Sequence, residues 1–238
     1  MRNNIAEMEF LYNKENISAK FSKDKFRQFL QEKVIFPLRG VTKKYYKNDS
    51  ILTEGEVISH VYVIESGNVA VRKDEEQIIS FYSENEIIGV TNLLLGSRSE
   101  CSFQAISNEL VVTKYDKVSI VEKVINTQEG YFYHYVHMQN QFSQMMEKEE
   151  LLRLPSEQRI SLALLILGTN FGEETDDQDL IRFPKSINKG MIAQYTNLNP
   201  NTITNVLHKL QNEDSLYPAR GGFYIDIFKL QIKLGRAL

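Results

Sequence analysis

Residues 189–210, KGMIAQYTNLNPNTITNVLHKL, constrain the fold more than any other part of the sequence. Their apolar residues recur at helical spacing, stop once and then resume, which predicts two short helices that cross at a sharp angle. Ala193 provides the small side chain that a close crossing needs, and Asn197 lies where the turn requires a left-handed backbone. We therefore expect a helical pair whose second helix protrudes from its domain.

The second helix of this pair has a clear start. Asn199 is placed to cap it, Pro200 occupies the first helical position, and Thr202 follows in the first turn. Generic packing of three helices produces a similar apolar pattern, so a helical hairpin that binds nothing stays open on these residues alone. A protruding helix of this kind otherwise suits a DNA groove.

The segment after Leu210 predicts a β-hairpin. Leu216 and Tyr217 precede a turn at Gly221–Gly222, and an alternating run follows over Phe223–Ile227. A helix-turn-helix followed directly by such a hairpin is a winged helix, and Arg220 at its tip is placed to contact phosphate.

Composition fits a chain of two globular domains. The 238 residues are 42% hydrophobic and 25% charged. The longest apolar run, Ile160–Leu167, is too short to cross a bilayer, and the N-terminal MRNNIAEMEF lacks the apolar core of a signal peptide. A single cysteine, Cys101, forms no intrachain disulfide, so we expect a reducing cytoplasm.

Charge is spread unevenly along the chain. Residues 1–152 hold 18 Lys and Arg against 22 Asp and Glu, whereas residues 185–238 hold 7 against 3. The basic excess therefore coincides with the predicted winged helix, as expected for a domain that meets DNA phosphates.

Short β-prone runs fill the chain from Val41 to Lys117. A helix over residues 22–35 precedes them, with Phe26, Phe29, Leu30 and Val34 on one face. Turn residues separate the runs, and they include Asn48–Asp49, Glu54–Gly55, Ser66–Gly67, Asp74–Glu75 and Gly96–Ser97. The runs are VTKKYY, SILTEG, HVYVIES, NVAVRK, QIISFYS, EIIGV, CSFQAIS and ELVVTKY. This pattern predicts a small antiparallel sandwich or barrel.

Beyond Val118 the periodicity becomes helical and predicts a long helix with a coiled-coil seam. The seam residues alternate steps of four and three: Tyr131, Tyr135, Met138, Phe142, Met145, Glu149 and Leu152. A second apolar line, Phe132, Val136 and Met146, is expected to pack back on the sheet. Homodimerisation through the seam is the economical interpretation, and a helix buried inside a monomer is the alternative.

The chain after this helix predicts a hinge and a second domain. Leu154–Pro155–Ser156 breaks the long helix and caps the next, whose core is Ile160, Leu162, Leu164, Leu165 and Leu167. Residues 173–179, EETDDQD, are expected to form a solvated loop before the strand LIRFP. The predicted domains are therefore 1–125, 126–153 and 154–238.

The order of sheet roll, long helix, hinge and winged helix resembles the Crp/Fnr family of bacterial transcription regulators. The segments DSILTEGEVISHVYVIESGNVAV, EIIGVTNLL and LLRLPSEQRISLALLILG are similar to the roll, the effector pocket and the hinge of that family. The resemblance implies an α+β fold with an N-terminal antiparallel β-roll, a long dimerisation helix and a C-terminal winged helix-turn-helix. It also implies three partners: double-stranded DNA, a second copy of the chain and RNA polymerase.

The pocket residues depart from the cyclic-AMP-binding members of this family. Those members carry Gly-Glu-Leu and then Arg-Ser, whereas this chain has Gly89–Val90–Thr91, without the carboxylate. Counting back from Ala105 places Ser99 at the arginine position, although a one-residue loop shift would bring Arg98 there. We therefore expect an effector other than cyclic AMP, as in the PrfA-like members, or no effector.

Other sensing cofactors are not expected. One cysteine cannot supply the four thiolates of an iron–sulfur cluster. His134 and His137 have ligand-like spacing without a third ligand, and His60 lies apart from them, so we expect neither haem nor a metal. Cys101 is expected to be a small core residue rather than a redox sensor.

In the family, an Arg-Glu-x-x-x-Arg pattern on the second helix contacts bases, and its positions here are Pro200, Asn201 and Asn205. Because an Asn amide pairs with adenine N6 and N7, we expect adenine in the half-site. Thr202 and His208 take phosphate-contacting positions, and Thr204 is placed to donate to a base or the backbone. The full set of expected DNA-contacting residues is Asn199, Pro200, Asn201, Thr202, Thr204, Asn205, His208, Lys209 and Arg220.

Three further alternatives remain at this stage. The dimer is either switched by an effector at the roll or constitutively active with a degenerate pocket. A winged-helix adaptor that binds another protein instead of DNA is the third possibility. An enzyme built on the roll is not expected, because the roll has one histidine, His60.

Overall fold

The computed structural model describes residues 13–34, 36–74 and 76–235. The N-terminal MRNNIAEMEF segment lies outside these ranges, as do Ile35 at the end of the first predicted helix and Glu75 of the Asp74–Glu75 turn. Among the helices within these ranges, none has the length and apolar character needed to cross a bilayer.

The chain divides into two compact units. One comprises Met1–Val69 and Tyr82–Gln144, and the other comprises Ala70–Phe81 and Met145–Leu238. The second unit therefore includes a β-hairpin from the roll sequence as well as the chain from Met145 onwards. The boundaries at 125/126 and 153/154 stay predictions, since this division cuts the long helix and not its ends.

The first unit contains two N-terminal helices, two further helices and the roll strands other than the hairpin of Ala70–Phe81, which belongs to the second unit. Its helices are α1 (Lys14–Lys20), α2 (Lys23–Gln31), α3 (Lys117–Ile125) and the first part of α4 (Gln128–Arg153). The strands of the roll are β1 (Val41–Tyr46), β2 (Ser50–Leu52), β3 (His60–Ser66), β4 (Val69–Lys73), β5 (Gln77–Tyr82), β6 (Ile87–Ile88), β7 (Ser102–Ala105) and β8 (Glu109–Asp116). Each falls within one of the runs predicted to be β-prone, except that β8 extends one residue beyond ELVVTKY to Asp116.

The strands form two antiparallel sheets, with the orders β1–β8–β3–β6 and β2–β7–β4–β5 among the described residues. In the first sheet, Val41 lies opposite Lys114 and Val61 lies opposite Tyr115. Residues of this sheet pack against α2, α3 and α4 in one hydrophobic cluster. This core contains Phe21, Phe26, Phe29, Leu30, Val61, Val63, Ile87, Val90, Tyr115, Ile120, Val124, Tyr133 and Val136.

Two expectations for this part of the chain were wrong. The predicted helix over residues 22–35 ends at Gln31, and Val34, predicted on the same helical face as Phe26, Phe29 and Leu30, is 85% exposed. Glu32 has an extended backbone (ψ 134°), so Val34 lies beyond the helix and its predicted helical face. Met146 is 48% exposed, although Phe132 and Val136 of the same predicted line pack in the core of the first unit.

The second unit contains the winged helix. Its elements after the last part of α4 are α5 (Ser156–Phe171), β9 (Glu173–Glu174), β10 (Leu180–Arg182), α6 (Lys189–Thr196), α7 (Pro200–Asn212), β11 (Leu216–Ala219), β12 (Gly222–Asp226) and α8 (Ile227–Lys233). The described strands of its sheet have the order β11–β12–β10–β9. The apolar residues predicted for α5 are buried, except that Leu165 is half-buried.

Three local expectations for this unit need correction. Ser156 is the first residue of α5 and forms no side-chain cap, which leaves the N-cap position to Pro155. Glu173–Glu174 of the expected loop form the short strand β9, paired with β10. Ile227 begins α8 instead of ending the strand, because the Asp226 side chain accepts a hydrogen bond from the Lys229 amide and caps that helix.

The predicted fold class is confirmed: an antiparallel β-roll, a long helix and a C-terminal winged helix-turn-helix follow one another along the chain. Two turns of the roll have the backbone conformation that their residues favour. Asn48 and Asp74 adopt positive φ angles of 76° and 51° at two of the predicted turns.

Candidate nucleic-acid interface and effector site

Helix α6 is the buried member of the helical pair. The Asn188 side chain caps it by accepting a hydrogen bond from the Met191 amide at 2.9 Å. Met191, Ile192 and Ala193 are all buried. The small side chain of Ala193 therefore lies at a packed face, as the sequence predicted.

A tight turn then redirects the chain into α7. Asn197 has φ 51° and ψ 48°, the left-handed conformation that was predicted for it. Its amide and that of Leu198 both donate to the carbonyl of Ala193. The carbonyl oxygens at the end of α6 are thus satisfied while the chain changes direction.

The start of α7 matches its prediction residue by residue. Asn199 is extended, and its side-chain oxygen accepts a hydrogen bond from the Asn201 amide at 2.8 Å. Pro200 is the first helical residue, where its missing N–H costs nothing. Asn199 therefore acts as a cap, and its side-chain oxygen is already engaged within the chain.

Helix α7 has one buried face and one exposed face. Ile203, Leu207 and Leu210 are buried and anchor the helix to its domain. Asn201 and Asn205 lie four residues apart on the outward face, and both are exposed. Pro200, His208 and Lys209 are exposed as well, whereas Thr202 is half-buried. The helix thus offers side chains for reading a groove along the edge that carries the two asparagines.

Besides Asn199, two of the expected DNA-contacting residues have intrachain partners. The Thr204 hydroxyl donates to the Pro200 carbonyl at 3.1 Å, which leaves its oxygen as an acceptor. The Lys209 ammonium lies 2.6 Å from Glu157 of α5. Hydrogen bonds from Lys209 and Lys233 hold the pKa of the Glu157 carboxyl below its usual value. Lys209 therefore already forms an intrachain ion pair with α5 in the absence of DNA.

The wing carries Arg220 at its tip. Ala219 pairs with Gly222, so the connecting residues are Arg220 and Gly221, one position earlier than the predicted Gly221–Gly222 turn. Gly221 has φ 78°, which explains why the turn centres there. Arg220 is exposed, as a phosphate contact requires.

In the roll, the segment predicted to line an effector pocket is tightly held by neighbouring elements. Gly89 has φ 91°, and Val90 is fully buried while Thr91 is exposed. The carbonyl of Val90 accepts a hydrogen bond from Nε2 of His134 at 3.1 Å. This ties the segment to α4, the helix that carries the predicted dimer seam.

Arg98 and Ser99 face different surroundings. The Arg98 guanidinium is exposed and donates to the Gly55 carbonyl at 2.7 Å. Ser99 is buried, and its hydroxyl donates to the Cys101 carbonyl at 2.6 Å. Arg98 thus closes the turn at Gly55, and a buried hydroxyl takes the position where the resemblance places an arginine.

The described histidines do not form a metal cluster. Within residues 13–34, 36–74 and 76–235, no three His, Cys, Asp or Glu side chains lie close enough to hold a metal ion. His137 is half-buried, and burial, with His134 second, lowers its pKa to about 4. His60 lies at the start of β3 beside Ser59. Cys101 is half-buried and lies directly before β7, so the expectation of a core residue on that strand was wrong.

The predicted seam of α4 lies at the surface of the chain. Tyr131 and Tyr135 are each 55% exposed, Phe142 is 60% exposed and Met145 is 64% exposed. Met138 and Leu152 are half-buried. Apolar groups of this size in one line along a helix indicate a face that another surface covers.

A polar stripe on α4 is the feature that the sequence reading missed. The stripe repeats with the same steps of three and four as the seam; Lys148 is buried and the other four residues are half-buried: His134, His137, Gln141, Gln144 and Lys148. Gln141 accepts a hydrogen bond from the Tyr82 hydroxyl at 2.9 Å, and Lys148 is only 7% exposed. The repeat was readable in the sequence, but its burial was not.

Comparison with known proteins gives this architecture a context. Residues 42–124 match the family model described as the cyclic nucleotide-binding domain. No curated protein sequence matches the chain significantly.

Several solved structures share the fold of most of the chain. FixK2 from Bradyrhizobium japonicum is 16% identical, with a TM-score of 0.71 over 82% of this chain and 97% of its own. A cyclic nucleotide-binding domain containing protein from Listeria monocytogenes is 20% identical, with a TM-score of 0.67 over 86% and 95%. TTHB099 from Thermus thermophilus, described as a transcriptional regulator of the CRP family, is 19% identical, with a TM-score of 0.66 over 82% and 98%. The predicted resemblance to the Crp/Fnr regulators is thus confirmed in the fold.

Proposed function

We propose that this chain is a sequence-specific DNA-binding transcription regulator that acts as a homodimer. The observation that carries the proposal is the outward edge of α7, where Asn201 and Asn205 are both exposed, while Ile203, Leu207 and Leu210 hold the opposite side in the core. A helix anchored in this way presents hydrogen-bonding side chains to a major groove.

The two asparagines specify adenine. The amide of each Asn is placed to donate to N7 and accept from N6 of one adenine, which other bases cannot match in the major groove. Arg220 on the wing contacts phosphate, and so do Lys185 and Lys189, which are exposed at and before the start of α6. These contacts orient the domain without selecting sequence.

Dimerisation is the second part of the proposal. The exposed seam of Tyr131, Tyr135, Phe142 and Met145 packs against the same seam of a second copy. The two-fold axis of such a dimer places the recognition helices one DNA turn apart, about 34 Å, so the target is an inverted repeat. As a regulator, the bound dimer then contacts RNA polymerase.

The roll responds to an effector other than cyclic AMP, or to none. Gly89–Val90–Thr91 has no carboxylate to bind a ribose hydroxyl, and Arg98 is engaged at the Gly55 carbonyl. Isothermal titration with cyclic AMP should therefore release no heat of binding. Saturable binding that is lost on Arg98→Ala would overturn this part.

Selection of bound duplexes from a random pool tests the whole proposal. We expect adenine-containing inverted repeats whose affinity falls steeply with added salt. Asn201→Ala and Asn205→Ala should each weaken binding to the selected site by about 5- to 150-fold, which corresponds to roughly 1–3 kcal/mol for a bidentate contact.

The matched control is Asn212→Ala, the same change at an exposed position of the same helix, in its last turn. This variant should bind the selected site as the unsubstituted protein does. Absence of duplex binding at low salt would instead favour a protein-binding adaptor, and equal effects of all three substitutions would refute the adenine-reading role.

Dimerisation has its own test in Tyr135→Glu with Phe142→Glu. Because both side chains are more than half exposed, the double variant should remain folded while its sedimentation changes from dimer to monomer. Ser143→Glu, an exposed neighbour outside the seam, is the control and should stay dimeric. An unsubstituted protein that sediments as a monomer at micromolar concentration would contradict this part.

A further inference from the structure

The last carbonyl groups of α6 receive two buried or half-buried cations from elsewhere in the second unit. Lys148, near the end of α4, donates from Nζ to the carbonyl of Tyr195. Arg159 of α5 donates to the carbonyl of Thr196 at 3.2 Å and to the Leu154 carbonyl at 2.9 Å. Cations at these positions satisfy free carbonyls and oppose the negative end of the helix.

Lys148 also holds the hairpin formed by β4 and β5. Its Nζ donates to the Ile78 carbonyl at 3.3 Å and lies 3.2 Å from the centre of the Tyr195 ring. Phe81 of the same hairpin packs against Tyr195, with ring centres 5.5 Å apart. Arg72 donates to the Gln194 side chain at 3.1 Å. One ammonium group therefore joins the end of α4, the hairpin and the end of α6.

This arrangement is not explained by stability alone. Burial, with Arg159 second, lowers the pKa of Lys148 to about 7, so the charged form is destabilised at this position. An apolar side chain of similar length would avoid that cost. Unlike an apolar side chain, Lys148 forms directional hydrogen bonds, because its Nζ–H groups donate to carbonyl oxygens at fixed positions on two other elements.

We propose that Lys148 is a positioning residue that fixes the angle between the end of α4 and the recognition helix, so that the dimer reads two half-sites at a single spacing. The inference rests on the proposed function. The chain of contacts is short: Tyr195 and Thr196 end α6, Asn197 makes the turn, and Asn199 begins α7. A shift of the α6 terminus relative to the end of α4 therefore moves the reading edge of α7 directly.

The test compares Lys148→Met with a matched control, Lys123→Met. Lys123 is fully buried too, donates to the Glu32 carbonyl at 2.8 Å and lies 5.1 Å from the Phe29 ring centre, but it belongs to the first unit. Each protein is titrated against three duplexes: the selected inverted repeat, one half-site, and the repeat with one base pair added between half-sites.

For Lys148→Met we expect affinity for the inverted repeat to fall about tenfold, the equivalent of one charge-assisted hydrogen bond. Affinity for the single half-site should stay within about twofold, because the α7 surface itself is unchanged. Discrimination against the lengthened repeat should shrink, whereas Lys123→Met should leave all three affinities as they are.

Equal losses on the half-site and the inverted repeat would overturn the inference, since they would indicate damage to the winged helix itself. Unchanged affinities would overturn it as well. If Lys148→Met fails to fold, Gln194→Ala decides, because it removes the Arg72 contact from a half-buried side chain and should give a smaller loss of the same pattern. Failure of the unsubstituted protein to bind any selected duplex would refute the proposed function instead.

Discussion

Gly89→Ala separates an architectural role of the roll segment from a ligand-binding one. Gly89 has φ 91°, where a side chain costs about 1–2 kcal/mol. An added Cβ would also lie 2.7 Å from the His60 carbonyl oxygen and 3.1 Å from Cγ2 of Ile58. The oxygen belongs to the β3 backbone, which cannot rotate away as a flexible side chain would.

The steric cost adds to the conformational one. Forcing an extra carbon into a packed site typically costs about 1–3 kcal/mol, so the total for Gly89→Ala is about 2–5 kcal/mol. Gly55→Ala is the matched control, because Gly55 has φ 78° but no atom within 4 Å of its would-be Cβ. Only the conformational part, about 1–2 kcal/mol, applies there.

Thermal unfolding followed by far-ultraviolet circular dichroism measures both variants. For a chain of this length, 1 kcal/mol shifts Tm by about 2–4 °C, so Gly89→Ala should melt about 2–12 °C below Gly55→Ala. Equal melting temperatures would refute the argument that β3 blocks a side chain at residue 89. An effector response lost without any loss of stability would assign Gly89 to ligand contact instead.

Three further changes test other parts of the structure. Asn199→Ala removes the cap on the Asn201 amide and should lower the free energy of unfolding in urea by about 0.5–2 kcal/mol. An unchanged free energy of unfolding would show that the cap does not stabilise α7. Asn197→Ala should cost about 1 kcal/mol at its φ of 51°, whereas Asn197→Gly should cost nothing; equal midpoints for the two variants would contradict this. Burial, against an opposing effect of Lys23, raises the pKa of Glu86 to about 7, above its unfolded value, so the stability linked to its protonation is present below pH 4.5 and lost as pH rises to about 7. Glu86→Gln should flatten this part of the stability profile and should stabilise the protein at pH 8, and an unchanged profile would show that Glu86 is ionised when folded.

The sequence predicted those elements whose signals are local. Asn197 and Asn199 were assigned to a left-handed turn and a cap because these backbone conformations favour asparagine wherever they occur, and both assignments are confirmed. The β runs were found for the same reason, since turn residues with positive φ mark their ends. Local chemistry of this kind does not depend on what packs against the segment.

Errors arose where a tertiary contact decides the outcome. Val34 continues the helical periodicity of Phe26 and Leu30, yet the helix ends at Gln31. Val34 therefore lies outside the helix and is exposed. Met146 has the spacing of a buried residue but lies in the part of α4 that belongs to the second unit, outside the core that covers Val136. A sequence pattern predicts which residues share one face of a helix, but only the tertiary structure shows whether other elements cover that face.

The burial of Lys148 was not predicted for the same reason, since it too depends on tertiary contacts. Its spacing from Gln141 and Gln144 places it on one stripe of α4, but a lysine at such a position is ordinarily solvated. Its burial follows from two segments far away in the sequence, the hairpin at Ile78 and the end of α6 at Tyr195, whose carbonyl oxygens both lie within reach of Nζ. The exposed asparagines of α7 were therefore predictable, because the periodicity of their own helix places them on its outward face. The role of Lys148 was not predictable, because it depends on carbonyl oxygens that only the fold brings close to it.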